Sequence, residues 1–349
     1  MFNWQPKTGE MRRGFGAAGI TAPVVRQSGM SCICTRAGWL LVALLWLAGP
    51  AAHAMDARPQ LLDADGVRVS LEFLDSDFTL GAEPLVVWIK RSLGIVAAYY
   101  GHFPVSELRI RVSSTSGAGV RHGTTFAAHG ALIRITVGRE VTPAELLNDW
   151  VLVHEMTHLA LPDVGTEHAW LSEGVAVYVE GVARAQAGNR AAAEVWAEQV
   201  SSMPRGLPQE ADAGLDHTHT WGRTYWGGAL FCLLADVQIR QRTGNRVGLQ
   251  NALRAVLRAS GGLVSDWPIE RVLAVGDAAV GTQVLEELYA RSKDTPLATD
   301  LPALWQSLGI EPEGGSVRFD DNAPLAIIRN AIMRAPVDST PAGSDRPTP

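Results

Sequence analysis

The chain contains 349 residues, of which 47% are hydrophobic and 19% are charged, and it carries a formal net charge of −6. A chain of this length and apolar content can bury one large core or the cores of two lobes. Because the net charge is negative and basic residues do not cluster in runs, the composition argues against nucleic acid as a partner.

Residues 1–54 have the layout of a secretory signal peptide. An apolar run at 38–49 follows Arg36 and precedes an Ala-His-Ala cleavage signal at 52–54. The run is too short for a comfortable membrane span, so we expect an exported protein, periplasmic or secreted, with no stable membrane span in its mature form. The stretch before the apolar run is unusually long, so Met30 is an alternative start. An uncleaved signal that anchors the protein in the membrane is the alternative location.

Loss of the signal peptide changes both the charge and the cysteine content of the chain. The mature sequence holds 25 basic and 35 acidic residues, which gives a net charge of −10. Cys32 and Cys34 are removed with the signal, so Cys232 remains alone and no internal disulfide is expected. Since apolar residues flank Cys232, we interpret it as a small buried hydrophobic residue rather than a nucleophile.

Residues 55–140 have the mixed pattern of a lobe with a small sheet. Apolar and polar residues alternate in several stretches, which is the period of half-buried strands, and one stretch has helical spacing. Together with the helical sequence that follows, this pattern predicts an α+β fold in which a sheet lobe packs on a helical lobe. The predicted strands are 67–74, 108–112, 120–126 and 132–137, and the predicted helix is 84–100.

Residues 141–335 are mainly helical in pattern. Thr142, Pro143 and Glu145 form a helix-start signal, with Thr142 as the cap and Glu145 three residues later. We expect this helix to run without interruption until Pro162. Further helices are predicted at 168–186, 190–201, 222–243, 246–259, 267–275, 279–292 and 300–308, with a loop at 202–221 and a disordered tail at 336–349.

An HExxH motif extends from His154 to His158. Residues four apart lie on the same face of a helix, so His154 and His158 can direct two imidazoles at one metal ion. The carboxylate of Glu155 can reach a water on that metal without serving as a ligand. A catalytic zinc usually has three protein ligands and one open position, so a third ligand should come from a different helix.

A second motif contains a candidate for that third ligand. Glu173 lies fifteen residues after His158, in the segment Trp-Leu-Ser-Glu-Gly-Val-Ala-Val-Tyr-Val-Glu that starts at Trp170. This segment and the HExxH motif together resemble the gluzincin metallopeptidases, in particular the peptidase MA-like proteins and the glycyl and leucyl aminopeptidase families. The resemblance implies a thermolysin-like zincin domain that hydrolyses peptide bonds. It also implies one catalytic zinc ion bound by His154, His158 and Glu173, with Glu155 as the general base.

A third motif, Tyr-Trp-Gly-Gly-Ala, starts at Tyr225. It is similar to the Tyr-x-Lys-Gly-Ala of aminopeptidases, in which the tyrosine hydrogen-bonds the oxyanion of the transition state, and it implies this role for Tyr225. Gly227 stands at the lysine position and departs from the family pattern. The resemblance covers roughly residues 140–260. Within this range Glu180 lies on the same helix face as Glu173, where it either orients a histidine or is a structural acid.

The kind of peptidase depends on a segment upstream of the HExxH motif. Aminopeptidases of this group carry Gly-x-Met-Glu-Asn there, and its Glu binds the α-amino group of the substrate. The corresponding residues 121–128 contain no acid. We therefore expect an endopeptidase rather than an aminopeptidase, acting on a peptide or protein substrate that pairs with an edge strand within 120–137. The alternatives are a non-enzymatic exported scaffold that keeps the fold, and a hydrolase of non-peptide amides or esters.

Overall fold

The computed structural model describes residues 59–335, so the predicted signal peptide and the predicted C-terminal tail lie outside the described residues. The N-terminal part of this range forms one mixed sheet of β1 (Gln60–Ala64), β2 (Val67–Phe73), β3 (Glu107–Thr115), β4 (Val120–Phe126) and β5 (Leu132–Gly138). The strand order is β1-β2-β3-β5-β4, so β4 is an edge strand. The pairs β2–β3 and β3–β5 are parallel, whereas β1–β2 and β4–β5 are antiparallel.

Alternation of apolar residues gives the sheet one buried face. Val69 and Leu71 of β2 and Ile133 and Ile135 of β5 are all buried, while the residues between them are more exposed. Helix α1 (Glu83–Tyr100) connects β2 to β3, and its buried side chains belong to the same hydrophobic core as these strand residues.

Helices dominate the chain after β5, and their buried side chains continue the core of the sheet. Among residues 59–335, no helix has both the length and the apolar character needed to cross a membrane. The predicted α+β fold is confirmed, while the predicted lobe boundary near residue 140 stays a prediction. The remaining elements are α2 (Pro143–Asn148), α3 (Val151–His158), α4 (Ala169–Gln186), α5 (Ala192–Ser202), α6 (Gly228–Arg242), α7 (Leu249–Ser260), α8 (Ile269–Val280), α9 (Val284–Ser292), α10 (Leu301–Leu308), β6 (Ile310–Glu313), β7 (Ser316–Phe319) and α11 (Ala326–Ile332).

The prediction of one uninterrupted helix from Thr142 to Pro162 is wrong, because Asp149 divides it into α2 and α3. The backbone of Asp149 is extended, with ψ at 136°. Its carboxylate accepts hydrogen bonds from the backbone N–H groups of Val151 at 3.0 Å and Leu152 at 3.1 Å. An Asp that caps the following backbone in this way favours a helix start over a helix interior. The helix that carries the HExxH motif is therefore short and begins with a fixed cap.

Candidate metal centre

Two helices bring three metal-ligand side chains together. His154 and His158 lie one turn apart on α3, and their Nε2 atoms are 3.3 Å apart. Glu173, in the second turn of α4, places Oε2 3.2 Å from His154 Nε2 and 3.6 Å from His158 Nε2. These three atoms form a group that can hold one metal ion. The name metal cluster is used below for these three side chains.

The metal cluster fits zinc in both donor type and spacing. Zinc with bonds of about 2.0–2.1 Å to tetrahedral N and O ligands separates those ligands by roughly 3.3–3.4 Å, which agrees with the spacing of the three atoms. Two imidazoles and one carboxylate are a donor set of catalytic zinc sites, which keep one position open. The ligand roles of the three residues stay predictions.

Hydrogen bonds orient one of the two imidazoles. Nδ1 of His158 lies 3.0 Å from the hydroxyl of Ser172, so its Nε2 points into the metal cluster. Within residues 59–335, Nδ1 of His154 is buried without a hydrogen-bond partner. The edge of the Trp150 ring meets the His154 ring instead, at 5.6 Å between centroids and 90° between planes. The two histidines are therefore held by different means, one by a hydrogen bond and the other by an aromatic contact.

Mutual electrostatic attraction shifts the pKa values within the metal cluster. Burial lowers the pKa of His158, but the hydrogen bond and the charge of Glu173, together with the charge of Glu155, outweigh burial and raise it. Burial likewise raises the pKa of Glu173, but its hydrogen bonds with both histidines and their charges lower it strongly. The Glu173 carboxylate is thus anionic over the physiological pH range, as a ligand for a cation must be.

Glu155 lies outside the metal cluster, against the edge strand β4. Its side chain is 8% exposed, and its Oε2 accepts a hydrogen bond from the Thr125 hydroxyl at 2.7 Å. Thr125 belongs to none of the sequence motifs. It precedes Glu155 by 30 residues, so residue order alone does not indicate that the two side chains meet. The position of the carboxylate beside the cluster, rather than in it, agrees with the expectation that Glu155 is not a ligand.

Tyr225 reaches the metal cluster from a π-helical segment, Arg223–Gly227, that precedes α6. Its ring is stacked with the His154 ring, at 6.4 Å between centroids and 13° between planes. Burial raises the pKa of the Tyr225 hydroxyl, and the negative charges of Glu173 and Glu155 and the hydrogen bond to Glu173 raise it further. π-helical turns are rare and often occur at functional sites, because the extra residue in the turn redirects a side chain.

Glycines bring this segment close to Glu173. A Cβ on Gly228 would overlap the carbonyl oxygen of Trp170, and a Cβ on Gly174 would overlap the backbone of Gly228. The backbones of α4 and the start of α6 are therefore in direct contact, which no other residue type permits at these two positions. This contact places Tyr225 beside Glu173.

The departure from the family pattern at Gly227 has a local cause. A Cβ on Gly227 would lie 3.0 Å from Nη1 of Arg223 and 3.3 Å from the carbonyl oxygen of Gly206. Arg223 is buried and forms an ion pair with Asp212 at 2.6 Å. The guanidinium of Arg223 therefore fills the space next to residue 227, where a longer side chain would have to displace it.

Glu180 does not contact a histidine, so the interpretation that it orients one is wrong. It is buried and accepts a hydrogen bond from Nη1 of Arg184 at 2.7 Å. Burial raises the pKa of Glu180 to about 7, although the charge of Arg184 opposes the shift. Of the two alternatives, Glu180 is therefore the structural acid, because its carboxylate binds an arginine one turn along α4.

Comparisons with known proteins bear on the fold. No protein-family model matches the chain, and no curated protein sequence matches it either. Among solved structures, an aminopeptidase N family protein from Idiomarina loihiensis matches with a TM-score of 0.55 and 13% identity over 73% of this chain and 49% of that one. An M1 zinc metallopeptidase from Deinococcus radiodurans matches with a TM-score of 0.45 and 15% identity over 69% of this chain and 52% of that one.

These similarities concern the fold alone. The chain spans about half the length of each of these two solved proteins. At 13% identity, the match to the aminopeptidase N family protein indicates a shared backbone arrangement and not a shared activity. The gluzincin-like fold that the motifs predict is confirmed at this level.

Proposed function

We propose that this protein is a zinc-dependent peptidase that hydrolyses peptide bonds with Glu155 as general base and Tyr225 as oxyanion donor. The observation that carries the proposal is that five side chains with the required chemistry lie together. Three donor atoms from α3 and α4 lie 3.2–3.6 Å apart, Glu155 lies next to His154 on α3, and the Tyr225 hydroxyl is hydrogen-bonded to Glu173 from a third element. A purely structural zinc site needs neither the acid nor the phenol and usually has four protein ligands.

Zinc held by His154, His158 and Glu173 would act as a Lewis acid that polarises the substrate carbonyl and lowers the pKa of the attacking water. Glu155 accepts the proton of that water as it attacks the carbonyl carbon, then transfers the proton to the leaving amine nitrogen. The raised pKa of Tyr225 keeps its hydroxyl protonated, so the hydroxyl can donate a hydrogen bond to the oxyanion.

The substrate side of the proposal is an endopeptidase that binds an extended peptide along β4. One edge of β4 pairs with β5, and the other edge has no strand partner among the described residues. Such an edge can pair with a peptide main chain. Because β4 contains no acidic side chain, it offers no counter-charge to a free α-amino group. Aminopeptidase activity is the second candidate, and the fold of an aminopeptidase N family protein favours it.

The test is to incubate the purified protein with a mixed peptide library and to identify products by mass spectrometry, with zinc content measured in parallel. We expect internal cleavage of free and N-acetylated peptides alike, and loss of cleavage in Glu155→Gln with zinc retained. Release of single N-terminal residues that stops on acetylation would support the aminopeptidase instead. If neither protein cleaves peptides while both bind zinc, the non-enzymatic scaffold is correct. Cleavage of small amides or esters alone would identify a non-peptide hydrolase.

Export of the protein belongs to the same proposal and rests on residues 1–54. The expected product of signal cleavage begins at Met55, directly after the Ala-His-Ala signal. N-terminal sequencing of the protein recovered from the periplasm or medium tests this prediction. An N-terminus upstream of the apolar run, together with recovery in the membrane fraction, would indicate the anchored form.

A further inference from the structure

Strand β4 contacts Glu155 through two small residues on the same face. Gly123 and Thr125 are two apart in the strand, so both are directed at α3. The Thr125 hydroxyl lies 2.7 Å from Oε2 of Glu155 and 2.8 Å from its backbone carbonyl oxygen. A hydroxyl has one hydrogen to donate, and both acceptors in reach belong to Glu155. The residue of the strand that donates a hydrogen bond to Glu155 is therefore Thr125.

Gly123 limits the space that the Glu155 side chain can occupy. A Cβ on Gly123 would overlap Cγ of Glu155 and would lie 2.9 Å from its Oε1. The strand backbone thus packs directly on the side chain of the base, which is only 8% exposed. A glutamate free in solution samples many rotamers, and holding it in one costs conformational entropy. In this fold the Glu155 side chain is already restricted before a substrate binds, so substrate binding does not add that loss of entropy.

The geometry points to Thr125 as a positioning residue that fixes the Glu155 carboxylate for proton transfer, an inference that rests on the proposed function. A general base acts only when its oxygen is within hydrogen-bond reach of the proton it removes. A misplacement of about 1 Å can cost about 100-fold in rate. The Thr125 hydroxyl binds Oε2 and Gly123 packs beside Oε1, so β4 restricts the orientation of the whole carboxylate before a water reaches it.

A second role for Thr125 has to be separated from positioning. Its hydroxyl can also serve only to bind β4 to the backbone carbonyl of Glu155. Such a hydrogen bond would contribute to stability equally with or without the Glu155 carboxylate, and its loss would not change kcat selectively. The experiment therefore needs a kinetic measurement that isolates kcat and a stability measurement that isolates the carboxylate.

The kinetic arm compares three variants of the full-length exported protein in zinc-containing buffer. Thr125→Val removes the hydroxyl at nearly constant volume, and we expect kcat to fall 10- to 100-fold with KM within twofold and zinc content unchanged. Thr125→Ser restores the hydroxyl and should recover kcat to within threefold of the wild type. Thr243→Val is the matched control, because the Thr243 hydroxyl bonds the backbone carbonyl oxygens of Ile239 and Val247 rather than Glu155, and its kcat should not change. Wild-type kcat in Thr125→Val, or an equal loss in Thr243→Val, would overturn the inference.

The stability arm does not depend on peptidase activity. Melting temperatures are measured for the wild type, Thr125→Val, Glu155→Ala and the double variant. If the hydroxyl binds the carboxylate, the drop in melting temperature caused by Thr125→Val should be at least halved in the Glu155→Ala background. An equal drop in melting temperature in both backgrounds would show that the hydroxyl stabilises the protein only through the backbone carbonyl of Glu155, and it would overturn the inference. If the wild type cleaves no peptide, the proposed function fails on its own, while this cycle still decides whether Thr125 holds Glu155.

Discussion

On one side of the metal cluster two helices meet backbone to backbone, whereas on the other side an edge strand meets α3 through a hydroxyl. The first side, the helical flank, consists of α4, the π-helical segment and the start of α6. Gly174 and Gly228 bring its backbones into contact. The second side, the strand flank, consists of β4 and α3. There Thr125 holds Glu155 by a side-chain hydrogen bond.

The difference between the flanks corresponds to the tasks of the groups they hold. Under the proposed function, Glu173 and Tyr225 on the helical flank are a metal ligand and an oxyanion donor, which must keep a fixed distance from each other. Under the same proposal, Glu155 on the strand flank is a base that must accept a proton and then release it. A packed backbone contact tolerates no added atom, whereas a hydroxyl can be replaced by a methyl of the same size. Substitutions at the glycine contact of the helical flank should therefore act through folding, whereas substitution of Thr125 on the strand flank should act mainly through rate.

The largest effect is expected from Gly228→Ala on the helical flank. The new methyl would overlap the carbonyl oxygen of Trp170, a backbone atom that cannot move without shifting α4. We expect a loss of about 3 kcal/mol or more in the free energy of unfolding, at the upper end of overpacking effects, together with loss of zinc and activity. Denaturant unfolding and metal analysis measure both.

The matched control for Gly228→Ala is Gly94→Ala. Gly94 lies inside α1, where a Cβ would be 3.5 Å from the Asp65 carboxylate, an ordinary contact. Alanine is the better helix former, so this variant should be as stable as the wild type or up to about 1 kcal/mol more stable. Equal stability losses at Gly228 and Gly94 would contradict the picture of a backbone contact that is specific to the helical flank.

Next in size is Glu173→Ala, which removes one donor but leaves the packing of the helical flank intact. We expect zinc affinity to fall by more than the 10- to 100-fold that loss of an outer hydrogen-bond partner costs, and peptidase activity to fall with it. Equilibrium dialysis with zinc gives the affinity, and circular dichroism checks the fold. Unchanged zinc binding would mean that Glu173 is not a ligand.

Tyr225→Phe should affect rate alone. The phenol is stacked against His154, so a phenyl ring keeps the packing while the hydrogen-bond donor is lost. Loss of one oxyanion donor typically lowers kcat by about 100- to 1000-fold, and zinc content should stay at the wild-type value. Tyr289→Phe is the control, because the Tyr289 hydroxyl donates to Asp216 at 2.7 Å, whereas the Tyr225 hydroxyl bonds Glu173 of the metal cluster. A similar kcat loss in both variants would remove the special role of Tyr225.

The smallest effect concerns the pH dependence of stability. The pKa of Glu180 is raised from 4.5 to about 7, so the folded chain binds more protons than the unfolded chain between these values. Stability that is due to protonated Glu180 is therefore present below pH 4.5 and is lost as pH rises toward 7. The loss should be on the order of 1–3 kcal/mol in the wild type and absent in Glu180→Gln.

This pH effect is measured as the difference, at each pH, between the free energies of unfolding of the wild type and Glu180→Gln. Asp149, whose burial raises its pKa to about 6, contributes to the same trend in both proteins and cancels in the difference. A constant difference from pH 4.5 to pH 7 would show that Glu180 remains ionised in its pair with Arg184. The helical flank would then contain a fully charged ion pair.

The sequence predicts the side chains of the metal cluster better than it predicts their surroundings. The spacing of His154 and His158 follows from helix geometry, whereas Glu173 is predicted from the resemblance of its motif to the gluzincin metallopeptidases. The contact between Thr125 and Glu155 joins elements 30 residues apart, and nothing in the local pattern of β4 signals it. Local pattern also failed at Asp149, where side-chain capping interrupts an otherwise helical stretch. Residue patterns do not indicate β1, the β6–β7 hairpin or α11, because each of these strands and helices has seven residues or fewer and shows too little periodicity.

The glycine contact between α4 and α6 has a consequence for protein engineering. Since the separation of Glu173 and Tyr225 depends on two backbones in contact, substitutions that change the volume of neighbouring core side chains should leave that separation unchanged. A library intended to alter substrate choice can then vary Phe126, a residue of the edge strand β4 that is 41% exposed. Gly174 and Gly228 should be kept constant in every member, so that each retains the scaffold on which a new specificity is selected.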